Sequence, residues 1–237
     1  MNMLIKSIKG LVRDRSYKLL RSHLRLNVFP GVVKLYAEPY ADAFMNYQYS
    51  KNRIVKAINY LQWFRSPLVV PQKSNIHYAY FRDQDQFLFM KQMWECNCEY
   101  TKTKRFSEFK ERIDRGSCIH RKMGKYNLYT EGDFRAYFAD YEAMLISMHK
   151  YGYNYNIEQD PILVWVGPSG ELIKEKGGRH RMAAAIVTGV YKIPVEIKYV
   201  HETWVRSRIL SCGKRSREIT TGEIRESLIE IHEIYGV

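Results

Sequence analysis

Between residues 131 and 201 the chain switches between helical and extended periodicity in an order that calls for a mixed α+β fold. Phe134, Tyr137, Phe138, Tyr141, Leu145 and Met148 recur at helical spacing, and Gly152 ends that stripe. The apolar, β-branched run Pro161–Val166 meets the turn cluster Gly167-Pro168-Ser169-Gly170 and then Glu171-Leu172-Ile173, the pattern of a hairpin. After Gly177-Gly178-Arg179-His180-Arg181 comes Met182-Ala183-Ala184-Ala185, a run of high helix propensity that Gly189 stops. Pro194–Val200 then alternates apolar and polar residues as a half-buried strand does. The expected order is helix, strand, turn, strand, loop, helix, strand.

The loop of that series carries the clearest chemical signal. Two glycines let a backbone approach a ligand closely, and a helix that starts at the basic residues offers unpaired N–H groups and a positive dipole end to an anion. Two guanidiniums add forked donors suited to phosphate oxygens. Gly177, Gly178, Arg179, His180 and Arg181 are therefore the candidate phosphate-binding residues, weighed against a basic turn leading into an ordinary core helix.

Gly178-Arg179-His180-Arg181, with Ala183-Ala184 and Ile193-Pro194-Val195, resembles the G-x-H-R … A-A … I-P-V pattern of the ParB/sulfiredoxin-like superfamily, whose core shares this element order. The likeness covers about a third of the chain and implies a nucleoside-triphosphate-binding domain, with phosphate contacts from Gly178, His180 and Arg181. Its members include CTP-binding partition proteins, ATP-dependent sulfiredoxins and kinases of free serine. Sulfiredoxins carry a cysteine where this chain has Arg179, so that activity is not expected. The serine kinases place an aspartate where Gly177 stands, which removes one candidate acid. Partition proteins continue into a helix-turn-helix domain, for which the roughly thirty-six residues after His201 are too few.

With 237 residues, 46% of them hydrophobic, the chain can bury a substantial core. Three regions are expected: a basic, tyrosine-rich, mainly helical stretch over 1–125, the ParB/sulfiredoxin-like core with a small mixed sheet over 126–210, and an acidic helix over 211–237. Residues 1–34 carry eight Lys or Arg against Asp14 alone, with Leu4, Ile8, Leu11 and Val12 on one helical face. This suits either a helix lying on anionic lipid or one packed on its own domain. A second basic stretch over 102–125 sets nine cations against Glu108, Glu111 and Asp114, and attracts polyanions, nucleic acid included, without distinguishing them. Most of the 19 tyrosines read as core and edge residues rather than base-stacking platforms.

Elsewhere, Asn52–Phe64 reads as a helix ended by Ser66-Pro67, Leu68-Val69-Val70 as a short strand, and Phe106–Ile113 as a helix capped by Ser107 and stopped by Gly116. The acidic helix carries Glu218, Glu223, Glu226, Glu230 and Glu233 beside Ile224, Leu228 and Ile231. Cys96, Cys98, Cys118 and Cys212, without a secretory signal, point to reduced thiols in a cytoplasmic protein, peripheral at a membrane if the basic helix engages lipid. No apolar run reaches the roughly twenty residues a membrane span needs. Cys96-x-Cys98 with Cys118-x-His120 would supply four zinc ligands, but one-residue spacers aim both ligands inward poorly, so the expectation is no metal. His149 and His201 read as structural, although His201 follows the last strand closely enough to be considered near the loop.

Two functions remain open beside a plainer reading, an interaction protein that keeps the fold without an activity. One is an ATP-dependent phosphotransferase, in which the loop holds ATP or CTP with Mg²⁺ and Arg179 and Arg181 neutralise charge developing in transfer. His180 and Glu175 are its candidate catalytic groups, with Glu171, Asp160 and Glu158 as further acids able to orient an acceptor hydroxyl. The alternative is a ParB-like nucleic-acid-binding or nuclease-type protein without phosphotransferase activity, against which stands the lack of a carboxylate cluster for nuclease metals.

Overall fold

The computed structural model describes residues 17–37, 68–70, 72, 78–121, 126–154, 161–211, 213 and 219–237. The expected features over 1–16 and Asn52–Phe64, together with Glu158, Asp160, Lys122, Lys125, Cys212 and Glu218, lie outside these residues. The chain forms two compact units, one from residues 1–81, 156–178 and 194–237, the other from 82–155 and 179–193. Both classes of secondary structure are present, as the α+β expectation requires.

The first unit is built on a seven-stranded mixed sheet. Its strands are β1 (Arg25–Val28), β2 (Leu35–Ala37), β3 (Val69–Val70), β4 (Tyr78–Tyr80), β7 (Ile162–Val166), β8 (Leu172–Lys174) and β9 (Ile193–His201). Their order is β1-β9-β7-β8-β2-β4, with β3 also paired to β9. The expected hairpin forms: β7 and β8 run antiparallel with Trp165 opposite Ile173, and the Gly167 N–H donates to the Glu171 carbonyl at 2.8 Å. β9 lies parallel to β7 and β2 parallel to β8. Ile162, Val164, Ile173, Val195 and Ile197 are fully buried, so the central strands have little exposure despite their short length.

The sheet is wider than the small one expected, because residues 1–125 supply β1, β2 and β4 as well as the anticipated β3. β1 does alternate, with Leu26 and Val28 buried between half-buried Arg25 and exposed Asn27. Its four residues follow a helical segment over 17–24 without a break in polarity, which hides the change of period.

Two helices complete this unit, α5 (Glu202–Ser211) and α6 (Thr221–Tyr235). α6 begins with a capping box: Thr220 Oγ1 accepts from the Glu223 N–H while the Glu223 carboxylate accepts from the Thr220 N–H at 2.7 Å. The buried Trp204 indole on α5 donates to the Ser227 carbonyl on α6 at 3.2 Å. Its ring leaves room at the hairpin turn for glycine only: a Cβ on Gly170 would lie 2.5 Å from Trp204 Cζ3, and Gly170 has φ of +85°. Gly170→Ala is expected to cost about 2 kcal/mol, read as a lowered urea midpoint, since left-handed backbone and overpacking both oppose it.

The second unit is helical with a small hairpin. It holds α1 (Asp85–Glu95), α2 (Lys104–Asp114), α3 (Phe134–Tyr151), α4 (Arg179–Val187) and the antiparallel pair β5 (Ile119–Arg121) and β6 (Tyr126–Leu128). α3 buries the predicted stripe and ends at Gly152, where φ is +73°. α2 starts two residues before the expected Phe106, and its cap is Thr103 rather than Ser107: Thr103 Oγ1 accepts from the Phe106 N–H at 3.3 Å. Thr103 is the residue with extended backbone and a side chain turned back over the helix start; Ser107 is exposed inside the first turns.

The core of this unit is aromatic. Phe109 lies 5.8 Å from Phe134, Tyr100 stacks on Phe138 at 4.8 Å, and Phe89 meets Tyr141 edge-on at 5.0 Å. Such contacts add about 1 kcal/mol each beyond area burial. Tyr137 and Tyr141 are buried here, as the core reading of the tyrosines expects, whereas Tyr129, Tyr151 and Tyr191 are exposed. Met182, Ala183, Ala184 and Ala185 are fully buried too, and the small size of the three alanines lets α4 seat closely among the other helices of the unit.

Candidate functional site

The five candidate residues fall on both units, Gly177 and Gly178 on the first and Arg179, His180 and Arg181 on the second. In the second unit, Arg179, His180 and Arg181 form the opening turn of α4, as the Ala-rich run predicts. Arg179 and His180 are half-buried. Arg179 donates to Gln86 Oε1 on α1 at 3.3 Å, and the His180 ring lies 5.1 Å from that of Tyr141 on α3. Arg181 is buried and donates to the Tyr153 hydroxyl at 3.3 Å. Of the three, Arg179 and His180 have the access a ligand requires.

No acidic residue sits in that first turn. Cations at the positive end of a helix dipole repel it, so this arrangement is unfavourable by itself and becomes favourable once an anion binds. Gln86, Tyr141 and Tyr153, which orient these side chains, carry no signal in the sequence because their contacts are long-range.

In the first unit the glycines have distinct reasons. Gly178 has φ of +74°, a conformation only glycine adopts readily. Gly177 is closely packed, since a Cβ there would lie 3.0 Å from Leu163 Cδ1 and that side chain would have to give by a few tenths of an ångström. The chain entering them is fixed by Lys174, a residue that sequence reasoning missed. Its side chain is fully buried, and the ammonium donates to the Leu163 carbonyl at 3.0 Å, to the Glu175 carbonyl at 2.5 Å and to the Gly177 carbonyl. A lysine between Glu171 and Glu175 reads as solvated; only the central position of β8 in the sheet reveals that it is enclosed.

Glu175 accepts from Lys198 Nζ at 2.7 Å and from the Gly177 N–H at 2.9 Å. Burial acts to raise its pKa, but the Lys198 hydrogen bond, the Gly177 amide and the charges of Lys198 and Lys174 outweigh it, leaving the carboxyl below its ordinary value. Such a carboxylate is a poor proton acceptor and a good anchor. Glu171 is committed to the hairpin turn, its carboxylate accepting from the Ser169 N–H at 2.8 Å.

His201 caps α5, its Nδ1 accepting from the Thr203 N–H at 3.2 Å. Burial pushes its pKa down against the opposing charge of Glu202. The folded ring therefore stays neutral where the unfolded one takes up a proton, so stability falls as pH drops below about 6.5 until the folded ring also protonates. His201→Asn, which retains an acceptor, should flatten this slope in urea midpoints measured between about pH 5 and about pH 7.5.

The remaining candidates occupy other places. His149 packs against Trp94, with ring centroids 4.9 Å apart. Cys98 is buried in the turn after α1, and burial, then the Glu142 charge, pushes its thiol up, away from reactivity. Cys118 Sγ lies 4.0 Å from His120 Nδ1, whose closer partner is Asn127 Oδ1 at 2.7 Å. Among the described residues, no group of three or more His, Cys, Asp or Glu could hold a metal, and no helix is long and apolar enough to cross a membrane.

No protein-family model, curated protein or solved structure matches this chain.

Proposed function

We propose that the chain is a ParB/sulfiredoxin-like nucleoside-triphosphate-binding protein that seats a phosphate tail on the first turn of α4, and that phosphoryl transfer is its activity. The observation carrying this reading is a helix start that gathers Arg179 and His180, half-buried, with no acidic residue in its own first turn. The donor set fits an oxyanion: backbone N–H groups, a guanidinium and an imidazole, all without an acceptor charge among them. The order α3, β7, β8, α4, β9 along the chain is that of the superfamily it resembles. Mg²⁺ would come with the nucleotide and supply charge neutralisation there.

Arg179 is the group placed to neutralise phosphate charge, and His180 the one able to donate a hydrogen bond to a phosphate oxygen. Buried Arg181 supports the turn through Tyr153. Glu175, held ionised by Lys198, serves the shape of the loop rather than proton transfer.

The nucleic-acid alternative draws on the +13 charge. Within 102–121, however, Lys102, Lys104, Lys110 and Arg115 pair with Glu99, Glu108, Glu131 and Glu111, which reduces the charge offered to a backbone. Calorimetric titration of ATP, CTP and GTP with Mg²⁺ tests the proposal. Saturable binding supports it, slow hydrolysis adds phosphotransfer, and binding of oligonucleotide alone, steeply weakened by salt, would put the alternative in its place.

A further inference from the structure

Arg105 and Arg121, unlike the exposed Arg112, are half-buried cations of that basic stretch outside its ion pairs. Neither has a carboxylate within ion-pair distance among the described residues; each instead covers an aromatic ring, Arg105 over Phe89 at 3.8 Å and Arg121 over Phe109 at 5.0 Å. A ring face steadies a guanidinium plane while using none of its N–H donors. Both side chains are half-buried and line a cavity of about 340 Å³ between α1 and α2, with Leu88, Phe89 and Phe109 as its apolar walls. That volume suits a small organic ligand.

We propose that this cavity is a second oxyanion site, separate from the turn of α4, and that it takes a phosphate group carried by a small molecule, gripped by the Arg105 and Arg121 guanidiniums. The acids around the cavity do not occupy those groups. Glu95 lies 3.6 Å from Lys91 and Glu108 3.5 Å from Lys104, so each is matched by a lysine of the same wall, and Asp85 stands in the first turn of α1, where a negative charge is favoured. Arg105 is the second residue of α2, whose first turn holds no acid, so no carboxylate of that turn competes for its guanidinium. The two guanidiniums share one field, as both act to lower the pKa of the buried Tyr141 hydroxyl against the larger effect of burial. Two forks beside a helix start favour a dianionic phosphate over a single carboxylate.

The test is calorimetric titration of the full chain with inorganic phosphate and with phenyl phosphate, on wild type, Arg105→Lys, Arg121→Lys and an Arg179→Gln/His180→Ala double variant. Lysine keeps the charge and the stem over the ring but loses the fork. Each lysine variant should bind on the order of tenfold more weakly at this cavity, while the double variant keeps the cavity site and loses only what binds at the turn of α4. Tighter binding of phenyl phosphate than of free phosphate supports the organic carrier, and equal binding of the two would overturn it. If Arg105→Lys fails to fold by circular dichroism, Arg121→Lys gives the reading. Absence of saturable binding, wild-type affinity in the folded lysine variants, loss confined to the double variant, or binding of oligonucleotide alone would each overturn the proposal. Because the nucleotide reading is probed by the double variant and this one by the lysine variants, either can fail without the other.

Discussion

Lys174→Met is expected to lower the unfolding free energy by about 3 kcal/mol, read from urea midpoints at neutral pH, a large share of a domain's stability. Methionine fills a similar volume, so little of this is packing. What is lost is a charge bonded to the carbonyls of Leu163, Glu175 and Gly177. Leu163 O also accepts from the Glu175 N–H at 3.0 Å, and Gly177 O from the Leu163 N–H at 3.4 Å. The ammonium therefore fills the remaining acceptor capacity of an already bonded turn. Without it, the Glu175 carboxylate also loses one of the charges that keep it ionised in a buried place. Arginine would not rescue the variant, because a planar fork cannot point at three converging carbonyls in the space of an ammonium. A midpoint change equivalent to less than about 0.5 kcal/mol would show that Lys174 is a passenger in the turn.

What the residues revealed in advance follows from how local each signal is. The hairpin at Gly167–Gly170, the stripe of α3 and the start and stop of α4 are written within a few neighbouring positions, and all of them form. The strands β1, β2 and β4 were not legible. Each is three or four residues long, too short for a period to show, and each is a strand through partners distant in sequence, as Tyr36 is through Lys174 and Ala79. The helix cap moved from Ser107 to Thr103 because both are competent residues, and only the preceding turn, where Thr103 Oγ1 donates to the Tyr100 carbonyl at 2.7 Å, decides between them.

The candidate site divides in the same way. Glycines and basic residues at a helix start were visible because their spacing carries the chemistry. The burial of Arg181 was not, since it depends on Tyr153, 28 positions away. Nor was the enclosure of Lys174, nor the neutralising of Glu175 by Lys198, 23 positions on. Long-range pairing removes residues from a list of candidates as often as it adds them: here it leaves Arg179 and His180 as the groups a ligand can reach.

Loss of nucleotide binding in Arg179→Gln/His180→Ala is the second large effect expected. Each side chain offers a charge-assisted or strong hydrogen bond to phosphate, of about 1.5–3 kcal/mol, so removing both should weaken the triphosphate about a hundredfold or more. The substitutions leave buried Arg181 and the Ala-rich face of α4 untouched, and the contact of His180 with Tyr141 contributes only about 1 kcal/mol to stability. The folded state should therefore persist, with a modest drop in thermal midpoint.

Titration of Mg²⁺-ATP and Mg²⁺-CTP into wild type and this double variant, side by side in a calorimeter, addresses the α4 turn most directly. The account predicts saturable triphosphate binding at the α4 turn of the wild type and its near-complete loss in a variant that remains folded. Equal affinity in the two proteins, or no triphosphate bound by the wild type, would contradict it.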